Sequence, residues 1–478
     1  MRYFLGIDIG TQGARIAVTD ISGNQVVNGE EIFKLTEDSR QEQSPEMWWD
    51  CCRYLIQKNI NDDIKNSIES ISVTSTSGTV IPLDRENRPL HPALMYSDKR
   101  SAVQGKRCME VARQNSKGYT GFNASSGLSK MIWFAENHPG KTESIARWVH
   151  AADYITGKLS GVWGVTDHTN ALKSGYDTAN EIWPEYLFSE LGLSGAWMPE
   201  VLPSGTVIGT MSPETAQALG FKNRPKVTTG ITDGCASQIA SGAIYPGTWN
   251  TTIGTTLVIK GVTQKQMIDP VGRFYSHKHP QGYWMPGGAG NIGADWVSRD
   301  FGKGLDLVER EAADNIPTGK MSFPLVQKGE RFPFIAPEAV GFSPDDISRA
   351  ILYASNMEGV AFVERMAYTL AQKLSGENIE AVYTAGGGSN SPLWLKIRSS
   401  VLNLPVYKMK YTSGAFGAAV LAASQTFFGT LTEAGKELIR MEKEVLPDTG
   451  LNEAYERQYE QFLRLMETKK YIKQEDYA

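Results

Sequence analysis

The chain opens on an apolar run, Tyr3-Phe4-Leu5, that continues through Gly6-Ile7-Asp8-Ile9 into Gly10-Thr11-Gln12-Gly13. Beyond this turn Arg15-Ile16-Ala17-Val18-Thr19-Asp20 alternates apolar and polar positions and then meets the turn signal Ser22-Gly23-Asn24. Period-two alternation bounded by Gly, Ser and Asn predicts two strands joined as a hairpin. About half a chain later the pattern returns: Trp249-Asn250-Thr251-Thr252 leads into Ile253-Gly254-Thr255-Thr256, and Leu257-Val258-Ile259 follows. Hairpins with Gly-Thr tips can present backbone N–H groups and hydroxyls to phosphate. The repeat therefore predicts two related halves closing on a nucleotide.

Other elements fill in around these hairpins. Ser44-Pro45-Glu46-Met47 is a helix start, Ser as N-cap and Pro first, for a helix over residues 45–60. A strand over residues 68–75 runs into Thr76-Ser77-Gly78-Thr79, and Val80-Ile81-Pro82-Leu83-Asp84 reads as another strand ending at Arg85-Glu86-Asn87. Residues from 98 to about 220 lose the strand–helix alternation and read as insertions that hold a substrate. After Tyr245-Pro246-Gly247, apolar spacing predicts a long helix over residues 345–373. A strand over residues 381–384 meets Ala385-Gly386-Gly387-Gly388-Ser389-Asn390-Ser391, followed by a helix over 392–402 and a short strand over 404–407. Residues 415–423 form a small-residue helix able to approach other backbones closely, and residues 452–474 a charged amphipathic one. No low-complexity linker intervenes, so the expected domains are residues 1–244 and 245–478, with a hinge between them.

Composition narrows the class. A chain of 478 residues exceeds one typical core. The net charge of −5 gives no support for nucleic-acid or anionic-membrane binding, and no apolar stretch approaches a membrane span. The first residues enter a strand directly, so no signal peptide is expected. Cys51, Cys52, Cys108 and Cys235 show no metal spacing, and a reducing cytoplasm fits them. His277 and His279 read as solvent-facing imidazoles rather than metal ligands.

Two phosphate-binding alternatives fail on spacing. The glycines at 6, 10 and 13 lead into a strand, whereas a dinucleotide fingerprint opens a helix. Gly140-Lys141-Thr142 has Ala135 where a P-loop needs glycine. A third segment, Thr229-Gly230-Ile231-Thr232-Asp233-Gly234, puts Asp233 between a strand end and a small-residue helix. There it either caps the helix or accepts a proton from a substrate hydroxyl.

With these motifs in order, the chain resembles the FGGY family of carbohydrate kinases, of the actin-like/hexokinase-like superfamily. The resemblance runs nearly end to end, through Gly6 to Thr11, Val80 to Asp84, Tyr96-Ser97-Asp98-Lys99-Arg100, Ser129 to Phe134 with Asn137, and Asp153 to Gly161. It continues through Gly230 to Asp233, Ile253 to Thr256, Ala385 to Ser391 and Gly414 to Ala419. It implies an α/β fold of two actin-like (ribonuclease H-like) domains with a central cleft, the first binding sugar and the second adenosine. It implies Asp233 as catalytic base and Asp8 as the acidic residue near Mg²⁺, acting through water. Gly10, Thr11, Gln12, Gly254, Thr255 and Thr256 would bind phosphate, and Gly386, Gly387, Gly388 and Asn390 the adenosine. ATP, Mg²⁺ and a small sugar are the implied ligands; a homodimer stays open. An ATPase of the same superfamily without a sugar acceptor is the alternative of a different class.

The sugar is read from the segment after the strand over 68–75. The xylulokinase branch has Gln-Met-His-Gly where this chain has Thr76-Ser77-Gly78-Thr79. That replacement puts small hydroxyls in the pocket and leaves at Gly78 the room an imidazole would fill. Pro92-Ala93-Leu94-Met95-Tyr96-Ser97-Asp98 and Thr166 to Lys173 with Gly175-Tyr176-Asp177 are similar to D-ribulose kinases. D-ribulose is expected first, D-xylulose or another ketose or polyol second; glycerol lacks the Arg-Glu pair it would need. Ser77, Gly78, Thr79, Asp98 and Asp233 are the expected sugar contacts, Asp98 accepting two hydroxyls. Trp133 either stacks on the sugar or fills the core, and Asn170 and Lys173 either reach the pocket or lie in a solvated loop.

Overall fold

Tyr3–Ile9, buried from Phe4 onward, is a central strand because almost every side chain in it is apolar. It pairs antiparallel with Gly13–Asp20, which pairs antiparallel with Gln25–Ile32. On its other side it runs parallel to Ile68–Ser75, and that strand parallel to Lys226–Thr228 and Ile231–Thr232. The computed structural model describes all residues except Lys117, Lys303 and Ala478.

The chain divides into two compact units. The first comprises Met1–Ala240, His277–Gly282 and Tyr411–Ile439; the second comprises Ser241–Ser276, Tyr283–Lys410 and Arg440–Ala478. The division departs from a single cut after residue 244, because the segment Tyr411–Ile439 belongs to the first unit. Its helix Gly414–Ala423, buried at every position, lies on Tyr3–Ile9. Small residues bring the backbones together: a Cβ at Gly6 would fall 1.8 Å from the Ala415 carbonyl oxygen, and one at Gly417 1.9 Å from that of Ala236. The same unit carries a four-stranded sheet, ordered Glu42–Gln43, Ala93–Leu94, Val80–Leu83, Arg147–His150. Helices Ala102–Asn115 and Gly127–Asn137 pack over it around Phe122, Phe134 and Trp148.

The second unit repeats the first sheet's plan. Trp284–Ala289, Leu257–Gly261 and Thr248–Ile253 are successively antiparallel, and Thr248–Ile253 runs parallel to Ala381–Ala385, itself parallel to Val406–Met409. A 27-residue helix, Arg349–Ser375, supplies much of the core, with Trp249, Trp296, Trp394 and the helix Thr449–Thr468 around it. It starts four residues later than the apolar spacing predicts, because Ser348 accepts the Ile351 amide and sets the N-terminus.

His277 and His279 are buried, at 4 % and 1 % exposure, and not solvent-facing as expected. The Gln281 amide donates to His279 Nδ1, so that ring braces a turn. Cys51 and Cys52 lie in the helix Pro45–Asn59, and no disulfide forms. Among the described residues no single helix is long and apolar enough to cross a membrane.

Candidate active site

Register brings the acidic residues of the first unit together. Asp8 is level with Thr74, and Thr74 with Ile231; one step on, Ile9, Ser75 and Thr232 are level. Gly10, Thr76 and Asp233 therefore leave the carboxyl ends of three parallel strands side by side, the edge where α/β sheets bind ligands. Asp8 is 7 % exposed, and its Oδ1 is buried without a hydrogen-bond partner among the described residues. Its Oδ2 lies 3.9 Å from Arg15. Burial, then the Asp233 carboxylate, push its pKa up to about 7, and Arg15 only partly opposes them. Asp233 opens the helix Asp233–Ser241 and accepts the Gly234 amide on Oδ1 at 2.7 Å.

An orphaned carboxylate oxygen beside a second carboxylate suits a divalent cation. Mg²⁺ characteristically takes one or two carboxylates and completes its shell with water and phosphate. Among the described residues no group of three His, Cys, Asp or Glu side chains could hold a metal. The donor set thus fits Mg²⁺ arriving with a nucleotide.

The hairpin tip beside Asp8 is braced from outside. The Gly10 amide donates to the Gly13 carbonyl, and Gln43 Nε2 to the Thr11 carbonyl at 2.9 Å, while Trp48 Nε1 donates to Gln43 Oε1. Gln12 is exposed. Gln43 went unnoticed in the sequence because a lone Gln before a helix carries no pattern.

The segment after Ile68–Ser75 differs from the expectation at Gly78. Its φ is +83°, and a Cβ there would fall 2.3 Å from the Ser125 carbonyl oxygen. The room expected at Gly78 is already filled by backbone. Thr79 is fully buried, its Oγ1 accepting the Tyr96 amide and lying 2.9 Å from Thr76 Oγ1. Ser77 Oγ is buried and has no hydrogen-bond partner among the described residues.

Asp98 is 1 % exposed and holds Arg100: Oδ1 accepts the Arg100 amide and Nε, and Oδ2 accepts Nη2 at 2.8 Å. Arg100 in turn lies 4.5 Å over the Trp133 ring. The structure thus gives both side chains a local partner. Asn170 is fully buried, its Nδ2 donating to Asp167 while Oδ1 has no partner among the described residues; Lys173 is half-buried. Nearby, His150 Nδ1 sits 2.7 Å from Asp153 and Nε2 2.8 Å from Ser174 Oγ, the connectivity of a nucleophilic triad. Ser174 is fully buried, and Gly127 covers its hydroxyl so closely that a Cβ would fall 2.5 Å away. This trio is an internal brace.

In the second unit the Gly254 amide donates to the Thr256 carbonyl, closing a tip like that at Gly10. Thr255 is exposed. The glycine loop packs against the residue before this tip: Cβ atoms at Gly386 and Gly388 would meet Ile253 at 2.5 and 2.9 Å, whereas Gly387 faces open space. Asn390 Oδ1 accepts Lys408 Nζ at 3.2 Å.

Residues 3–240 match the FGGY family of carbohydrate kinases, N-terminal domain, and residues 242–426 its C-terminal domain. A xylulose kinase of Bacillus subtilis is 25 % identical over 461 residues, covering 92 % of each chain. The crystal structure of xylulose kinase from Rhodospirillum rubrum superposes with a TM-score of 0.84 at 23 % identity, covering 98 % of this chain and 99 % of that one. Gluconate kinase from Lactobacillus acidophilus gives 0.82 at 20 % identity, with 98 % of each chain covered. Likeness at such identities carries the two-domain actin-like fold.

Proposed function

Because the chain belongs to the FGGY family of carbohydrate kinases, we propose that it transfers the terminal phosphoryl group of ATP to a hydroxyl of a five-carbon ketose. The observation that carries this reading is the pairing of Asp8, with its orphaned oxygen, and Asp233 at one sheet edge. Asp233 accepts the proton of the sugar hydroxyl as that oxygen attacks phosphorus. Asp8 would hold Mg²⁺ arriving with the nucleotide. Mg²⁺, bound with the nucleotide, supplies neutralisation of the phosphate charge. The Gly10–Thr11–Gln12 and Gly254–Thr255–Thr256 tips bind phosphate oxygens, and Gly387, Gly388 and Asn390 border the adenosine. Ser77, whose Oγ lacks a hydrogen-bond partner among the described residues, is the sugar contact this reading takes first, beside Gly78 and Thr79. Asp98 acts there by holding Arg100.

The relatives' names support xylulose over the D-ribulose expected from the sequence, and D-xylulose is taken as the first substrate. A second reading keeps D-ribulose, on one observation: with Ser125 backbone against Gly78, no imidazole fits where the xylulokinase branch carries histidine. A coupled assay of ADP release with D-xylulose, D-ribulose, L-xylulose, L-ribulose, glycerol and erythritol tests both. The largest kcat/KM is expected with D-xylulose, and a D-ribulose optimum selects the second reading. ADP release unstimulated by any of the six overturns the proposal.

A further inference from the structure

The tip Gly254–Thr256 is held from behind by a loop that none of the sequence motifs covers. In that loop the Ala294 amide donates to the Gly254 carbonyl at 2.7 Å, and the Gly290 amide to the Leu257 carbonyl at 2.9 Å. The Leu257 amide donates back to Ile292 at 2.6 Å. Residues 290–294 thus grip both arms of the tip. The fit leaves no slack: a Cβ at Gly293 would fall 2.3 Å from the Thr255 carbonyl oxygen.

The loop is itself fixed by one carboxylate. Glu330, 2 % exposed, accepts the Asn291 amide on Oε1 at 2.6 Å and the Ile292 amide on Oε2 at 3.0 Å. Its own turn is tied in as well: the Arg331 amide donates to Oε1, and Asn291 Nδ2 to the Gly329 carbonyl. Among the described residues Glu330 has no ion-pair partner. A buried carboxylate without a cation is costly unless hydrogen bonds replace its hydration. An apolar side chain could fill the same volume without that cost. What only a carboxylate does here is accept two consecutive amides, one on each oxygen.

We propose that Glu330 is a positioning residue for nucleotide phosphate: it locks residues 290–294 against Gly254–Thr256 and so fixes the shape of the phosphate-binding tip. The inference rests on reading that tip as a phosphate site. Glu330 touches no phosphate; it acts through the loop.

Glu330→Gln preserves size but turns one oxygen into an NH₂ group that meets an amide N–H. The test is calorimetric titration of the full chain with ADP and Mg²⁺, alongside Thr255→Val and Glu330→Asp, with KM for ATP and for the sugar measured in parallel. Glu330→Gln is expected to weaken ADP binding at least about tenfold and raise KM for ATP similarly, since misplacing a site by an ångström is costly. KM for the sugar should stay within about twofold, a split that general destabilisation would not produce. Glu330→Asp keeps both acceptors on a shorter arm and should fall between Gln and the parent. If Thr255→Val weakens ADP binding while folded Glu330→Gln does not, the inference fails and the phosphate reading stands. If neither variant changes ADP binding, the phosphate reading fails and the inference with it. Should Glu330→Gln not fold, a Glu330→Asp chain that binds ADP like the parent overturns the inference.

Discussion

An aspartate in the first turn of a helix commonly serves the helix, and Asp233 does accept the neighbouring Gly234 amide. Capping alone does not account for its closeness to Asp8, whose carboxyl it pushes up. Asp233→Asn keeps the amide acceptor but cannot take a proton. Turnover should fall ~10²–10⁴-fold, with sugar binding by calorimetry little changed. Near-normal turnover would return Asp233 to a capping role. Glu358, fully buried in the helix Arg349–Ser375, offers a second test at this scale. It accepts the Thr318 amide and hydroxyl and the Tyr455 hydroxyl, yet burial outweighs these bonds and pushes its pKa from 4.5 up to about 7. A folded pKa raised above the unfolded one means Glu358 destabilises only where the unfolded carboxyl ionises. Stability from this group is full below pH 4.5, erodes as pH rises towards 7 and is flat beyond, about 3 kcal/mol in all. Urea midpoints at pH 5 and pH 8 should differ less in Glu358→Gln than in the parent; an equal difference would show that other groups set the slope. Asp8 and Asp233 stand out in the sequence because each sits in a short local pattern. The Arg100 partnership of Asp98 was missed although it is only two residues away, because a carboxylate's choice between neighbour and ligand depends on burial, which sequence does not display. Glu330 was invisible because the loop amides it holds, those of Asn291 and Ile292, are 39 and 38 residues distant.

Strands and helices were the most readable scale. The strand Ile68–Ser75 and the start of the helix Pro45–Asn59 fall where alternation and the Ser-Pro cap put them. The last α-helix runs Thr449–Thr468, earlier than predicted at both ends; Asp448 sets its start by accepting the Gly450 amide. What the pattern could not say is which surface each element would meet. Composition suggested close approach for the helix Gly414–Ala423; its site of contact, the flat face made by Gly6, emerged only from packing. Gly6→Ala forces a methyl into the Ala415 carbonyl and should destabilise by at least about 2 kcal/mol in urea unfolding, at the upper part of the overpacking range. A midpoint unmoved by this change would mean the helix can slide aside. Gly78→Ala combines a left-handed backbone with the Ser125 carbonyl and should lower stability by roughly 1–3 kcal/mol as well as activity. If activity falls while the unfolding midpoint holds, the segment shapes the pocket without bearing on stability.

At the scale of the molecule, two sheets of one plan carry two glycine tips, but only the first has an acid at the strand's end: Thr252 occupies in the second unit the place Asp8 takes in the first. The repeat was legible because its hairpins are local; the return of Tyr411–Ile439 to the first unit was not, since it depends on contacts about 400 residues apart, such as Gly6 with Ala415. Hydrogen exchange should separate the sites. Sugar is expected to slow amides around 75–79 and 231–234, and ADP those around 254–257 and 386–390. Protection by ADP confined elsewhere would mean the nucleotide site is misassigned. The late return of Tyr411–Ile439 also bears on biosynthesis. The strand Tyr3–Ile9 leaves the ribosome early, but the helix that covers Gly6 follows only after residue 413. At ~5–20 residues per second the wait is roughly twenty seconds to over a minute. During that interval an apolar sheet face stands uncovered, open to chaperones and to other nascent chains. A chain released after residue 410 would keep Asp8, Asp233 and both glycine tips yet never close its first core.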